Sequence, residues 1–101
     1  MFRVTYLRNV SKNSEYKPVM TYHLSYGLEK AANHAYKITN TPKETLPESD
    51  VSIVNAANFS GPGMVDGDIV EVIDLRRSIY NRYFKRTNND WKCVEKPIIN
   101  T

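Results

Sequence analysis

From Gly67 to Val94 the chain passes through three strand-like runs with only turn-sized gaps between them. A Gly67-Asp68 turn feeds the first run, Asp68–Asp74, whose centre is Ile69-Val70-Glu71-Val72-Ile73. A Gly-Asp pair ahead of a β-branched run marks a strand start. Ile79–Arg86 and Trp91–Glu95 follow, and Thr87-Asn88-Asn89-Asp90 between them has the residues a tight hairpin turn tolerates. The C-terminal third therefore reads as an antiparallel meander, and the rest of the chain has to complete a core around it.

The N-terminal part supplies a hairpin and a helix. Phe2-Arg3-Val4-Thr5-Tyr6-Leu7 alternates apolar and polar residues, and Pro18-Val19-Met20-Thr21-Tyr22-His23-Leu24 is a second strand close enough to pair with it. Leu28, Ala31, Ala32, Ala35, Tyr36 and Ile38 or Thr39 recur at helical spacing, with Lys30, Asn33 and Lys37 on the opposite side. Ser25 or Gly27 suits the start of this helix, and Asn40 its end before Pro42. Thr41 to Glu48 is a loop, Val51-Ser52-Ile53-Val54 a short strand, and Asn55 to Gly63 a second loop. The predicted fold class is α+β. An antiparallel, strongly twisted sheet of five or six strands carries one amphipathic helix on one face, in the order β-β-α-β-β-β-β. Such a sheet can curl into a half-barrel. Residues 1–101 read as a single domain, with 96–101 as a loose tail.

At 101 residues the chain can bury one modest core. No apolar run approaches the ~18 residues that span a bilayer, so no membrane association is expected. Cys93 is the only cysteine, which excludes an internal disulfide and fits a reducing compartment. The expected location is cytoplasmic.

The chemistry-bearing residues do not assemble into a reaction centre. His23 and His34 are the only histidines and lack ligand spacing, so each is expected to be solvated or packed singly, with no metal. Asp66 and Asp68 read as turn-capping residues, and the remainder of a calcium loop is missing. Alternation puts Cys93 on the face of Trp91, which predicts a packed, inert thiol. Ser60-Gly61-Pro62-Gly63 lacks the lysine and helix of a phosphate-binding loop. The chain reads as a non-enzyme without a cofactor.

Charge is segregated instead. Residues 1–40 carry six basic side chains against two acidic ones, residues 41–75 one against seven, and residues 76–101 seven against two. The last segment interleaves cations with rings in Tyr80-Asn81-Arg82-Tyr83-Phe84-Lys85-Arg86. One strand face shows Tyr80, Arg82, Phe84 and Arg86, the pattern of a protein-binding hot spot. The same pattern serves a nucleic-acid-binding module that stacks bases and holds phosphates. It serves equally well as a core face with arginine stems across its rim. Arg76, Arg77, Tyr80, Arg82, Phe84 and Arg86 are the candidate partner-binding residues.

Three segments carry a resemblance. They are the helix Glu29-Lys30-Ala31 to Tyr36-Lys37-Ile38-Thr39-Asn40, the segment Gly63-Met64-Val65-Asp66-Gly67-Asp68-Ile69-Val70, and the closing runs Tyr83-Phe84 and Trp91-Lys92-Cys93-Val94. Together they resemble the YodL-like small proteins of phages and plasmids, which carry an Arg-Ser-x-Ser-Val-Gly-Asp segment. Here Pro62-Gly63 replaces the Arg-Ser pair and Val65 the second serine. The resemblance implies a mobile-element origin and no established enzymatic activity. In that segment Gly67 would supply a positive-φ turn, Asp68 would bond backbone amides, and Met64 would plug the core. The functional expectation is a phage-type accessory protein that binds and modulates a host or viral macromolecule, for instance as a counter-defence inhibitor.

Overall fold

A computed structural model describes residues 1–10, 15–77 and 81–100. The elements run β1 (Phe2–Asn9), β2 (Glu15–Leu24), α1 (Leu28–Asn40), a short 3-10 turn (Lys43–Thr45), α2 (Glu48–Ala56), β3 (Ile69–Asp74), β4 (Asn81–Thr87), β5 (Asp90–Val94) and β6 (Ile98–Ile99). Six strands form one sheet in the order β5-β4-β3-β1-β2-β6. The α+β class, the N-terminal hairpin and the C-terminal meander stand as predicted.

Three expectations need correction. Val51–Val54 is not a strand; it lies inside α2. Pro47 caps that helix and takes the backbone N–H bonds of Asp50 and Val51, while Glu48 and Asp50 in the first turn complement the helix dipole. These end effects outweigh the strand preference of the β-branched run, and the fold has two helices rather than one. The sheet is mixed, because β6 pairs parallel to β2. Part of the supposed loose tail, Ile98-Ile99, is that sixth strand.

The attachment of β6 fixes the sheet's shape. β5 and β6 occupy opposite edges, yet only Glu95, Lys96 and Pro97 join them. Four residue steps reach at most about 14 Å, whereas the edges of a flat six-stranded sheet stand roughly 24 Å apart. The sheet therefore curls until its two margins approach. Its concave face closes over Leu7, Tyr16, Ile69 and Tyr83, with Val94 and Ile99 packed against them. The helices cover the convex face, where Val4, Tyr6, Met20, Val70, Val72 and Phe84 meet Ala31, Ala32, Ala35 and Ile38. The alanines allow α1 to approach the strands closely.

The turns follow the local chemistry. Asn88 and Asn89 both take positive φ, the conformation of a two-residue primed turn between β4 and β5. Gly67 takes φ +97° and donates its N–H to Arg86 O. Asp68 is buried and accepts bonds from the Tyr6 hydroxyl at 2.6 Å, the Asn9 amide at 3.0 Å and the Val65 amide at 3.1 Å. Its carboxylate thus holds the start of β3 to the end of β1. Met64 is sealed in the core, and its amide donates to Thr39 Oγ1 while Asn40 Nδ2 donates to its carbonyl. The helix end Thr39-Asn40 and the segment from Gly63 to Asp68 are docked on each other.

Candidate functional site

The residues of the basic aromatic strand part company in three dimensions. Alternation directs Arg82, Phe84 and Arg86 to the helix-covered face, and only the cover over each one differs. Phe84 belongs to the main core. Arg86 is also buried; its guanidinium lies 4.1 Å from the Tyr36 ring centroid and 5.1 Å from that of Trp91. Trp91 is fixed in turn by its indole N–H, which donates to Asn33 Oδ1 at 2.6 Å. Arg86 is therefore a clamp between α1 and the β4–β5 hairpin, and neither it nor Phe84 is a free anchor. Tyr80 lies outside the described residues. Arg82 stays exposed, at the end of β4 that faces Leu28 at the start of α1 across an open cleft.

Arg76, Arg77 and Arg82 are brought to one end of the sheet. Beyond β3, the Asp74 carboxylate accepts the Arg76 amide at 2.9 Å, and Asp74 O accepts the Arg77 amide. This turn projects both arginines to solvent. The Arg76 amide and guanidinium hold the Asp74 carboxyl below its ordinary pKa, with the guanidinium Nε 3.6 Å away. A cleft of about 270 Å³ opens beside them, lined by Phe2, Leu28, Asp74 and Arg82.

This end also exposes apolar side chains that the sequence reading did not mark. Met1, Leu28 and Leu75 are 54%, 57% and 47% exposed, and Leu75 N donates to Met1 O, which sets those two side by side. Leu28 was expected on the buried stripe of α1. It instead opens the helix with φ +59°, in the left-handed region that a leucine rarely enters. Gly27 before it lies against the Phe2 ring with no room for a Cβ. That contact fixes the chain's entry into the helix and turns Leu28 outward. The Gly27-Leu28 dipeptide was the only signal available, and its meaning depends on Phe2.

A second polar cluster joins α1, α2 and β2. His34 is not packed singly: its Nε2 lies 2.8 Å from Asp50 Oδ1 and its Nδ1 3.0 Å from the Tyr22 hydroxyl. The Tyr26 ring meets the imidazole edge-on. The order carboxylate, imidazole, hydroxyl has the form of a relay, but its hydroxyl is a buried phenol whose ionisation burial opposes. The cluster therefore holds α2 to the sheet. On the concave face, Tyr83 donates to Glu71 Oε2 and Arg3 approaches Glu71 at 4.0 Å.

Cys93 shares the face of Trp91 but is exposed, because β5 is an edge strand and the Trp91 ring packs on Arg86 and Tyr36 instead. Among the described residues, no three metal-ligating side chains gather, and no helix is long and apolar enough to cross a membrane. Comparison of the chain with protein families, with curated proteins and with solved structures finds no match.

Proposed function

We propose that the chain is a non-enzymatic accessory protein that acts by occluding a surface on another protein. The observation that carries this reading is a cleft lined by Leu28 and Arg82, with the exposed Met1, Leu75 and Arg76 adjoining its other wall residues, Phe2 and Asp74. Apolar side chains exposed beside arginines match the composition of an interface centre, and the cationic border suits a partner with carboxylates around an apolar contact. The resemblance of the chain to small phage and plasmid proteins supports a host or viral protein as that partner, met in the host cytoplasm, with inhibition of a host defence as one outcome of occlusion. The rings that a nucleic-acid reading needs are engaged elsewhere: Phe84 lies in the core and Trp91 is bonded to Asn33. This favours a protein partner over a nucleic acid.

The test compares the wild-type chain with R76E/R82E and L28S in capture from a bacterial lysate, read by mass spectrometry. The expected result is a captured protein lost with both variants at an unchanged thermal midpoint. Equal capture by all three would remove the patch. Binding of a single-stranded oligonucleotide that weakens steeply with salt would favour the nucleic-acid reading.

A further inference from the structure

A different site is suggested by the edge of β2. Among the described residues, β6 covers that edge only at Glu15 and Tyr16. The direction of the remaining backbone groups follows from the register. Pro18 has no N–H and stands opposite Leu7, while Tyr16 O turns away from β1 to accept the Asn100 amide at 2.7 Å. The register then shifts between Tyr6 and Leu7, which leaves Val19 and Met20 together on the helix side of the strand. After this bulge, alternation returns Thr21 and His23 to the outward-directed set. Their N–H and C=O groups point away from the sheet.

Edges are usually blunted by proline, lysine or a bulge. Here Lys17, Pro18 and the bulge at Val19 protect the first half of the edge, and the protection stops before Thr21. A cleft of about 350 Å³ begins at that point, between Thr21–His23 and Ser52, Ile53 and Ala56 of α2. Apart from Ile53 the helix wall is built of small side chains, Ser52 and Ala56, which leaves space for those of an incoming strand.

We propose that this stretch of β2 and the facing surface of α2 form a peptide-binding site that takes an extended segment of another protein as an added strand. Unpaired amides and carbonyls at strand spacing recognise extended backbone, and a groove beside them selects every second side chain. The wall at Ile53 and Ala56 calls for small or β-branched apolar residues at those alternate positions. The fold already uses this edge in the same way, since β6 adds to it at Glu15 and Tyr16, ahead of Pro18 and the bulge. A second copy of the chain is a poorer occupant. With Thr21 on a two-fold axis, Val19 of one copy would stand opposite His23 of the other, and with Tyr22 on the axis only Thr21 and His23 would pair, so the ladder stays short in either register. The site is distinct from the patch at Leu28 and Arg82.

The experiment selects peptides from a random displayed library against the full chain and maps the selected peptides by amide chemical shifts. Peptides with apolar residues at every second position, shifting Thr21, His23 and α2, are expected. T21P removes an outward donor without taking a backbone bond from β1, although it also loses the 3.2 Å contact between the Thr21 and Thr5 hydroxyls, and should weaken these peptides about tenfold, the equivalent of one to two hydrogen bonds. A56W fills the groove from the helix side, leaves the strand untouched and should weaken them similarly, which covers any folding defect of T21P. L28S and R82E should leave the affinity unchanged. Failure to enrich any peptide, shifts confined to the Leu28 end, or binding indifferent to T21P and A56W would each overturn the proposal. A dimer that T21P dissolves would overturn it in favour of a second copy.

Discussion

Arg86 lies against the ring of Tyr36, its guanidinium carbon 4.1 Å from the centroid, and this contact ties the C-terminal hairpin to α1. The opposite side of the clamp is Trp91 at 5.1 Å. A desolvated cation–π contact contributes about 2 kcal/mol, and the stem of Arg86 adds packing. Arg86→Ala is therefore expected to lower stability by about 2–3 kcal/mol. Arg86→Lys should recover only part of this, since an ammonium lacks the planar face that stacks. Urea titrations of the two variants decide the matter. By the same reasoning Arg82→Ala should leave the unfolding midpoint in place; a large shift would show that the exposed end of β4 is structural too.

Buried phenols make the fold sensitive to strong base, Tyr6 and Tyr83 along with Tyr22. Burial, and then the bond to Asp68, push Tyr6 up to about 12; burial, and then the bond to Glu71, push Tyr83 up to about 12. Both groups have an ordinary value of 10.0. A raised folded-state pKa means that the native state retains the proton longer than the unfolded chain. The associated stability is complete below pH 10 and disappears as pH climbs towards about 12. Tyr6→Phe with Tyr83→Phe should reduce the slope of the stability profile across that window, with the remainder supplied by Tyr22, while costing about 1 kcal/mol per lost hydrogen bond near neutrality. A profile of the double variant that falls as steeply as the wild type would refute the assignment.

Leu28 should trade stability against capture. A bulky residue at positive φ costs about 1–2 kcal/mol, and glycine adopts the same backbone without it. Leu28→Gly is accordingly expected to gain up to about 1 kcal/mol after glycine's own entropic cost, and to weaken partner capture. Loss of stability in this variant would show that the exposed leucine is held by contacts its surface exposure conceals.

Gly63→Ala tests the docking of the Gly63–Asp68 segment on α1. A Cβ at this position would collide with the Asn40 side chain and the Thr39 carbonyl. The helix backbone cannot yield as a flexible side chain would, so a cost of about 2–3 kcal/mol is expected. Gly61→Ala is the comparison, because no atom lies near its Cβ and only its φ of +105° opposes the change. A Gly63→Ala loss no larger than that of Gly61→Ala would show that the Thr39-Asn40 end yields to the added carbon, since Gly63 itself lies outside the positive-φ region.

Much of the fold was legible because its signals are local. The alternation in β1, the asparagine pair of the β4–β5 turn and the alanine stripe of α1 each encode their element within a few residues. The missed features depend on partners distant in sequence. Val51–Val54 looks like a strand until Pro47 and the acids of the first turn are weighed against its β-branched content. The β6 pairing involves two isoleucines that gain meaning only from Tyr16, more than eighty positions earlier. Arg86 and Arg82 are indistinguishable by alternation, and the rings of Tyr36 and Trp91 alone separate clamp from surface. Thr21 and His23 reveal their free amides only once Pro18 sets the register with β1.

The strand order has a consequence for synthesis on the ribosome. β1 and β2 emerge first and can form their hairpin early, but β1 also needs β3, and Tyr16 needs a partner delivered at Ile99. Until those residues are made, the concave side of the hairpin stays wet and one margin of β1 stays open. The nascent chain is then most exposed to wrong partners, and it is the arrival of Ile98 and Ile99, more than eighty residues after Tyr16, that shuts this sheet.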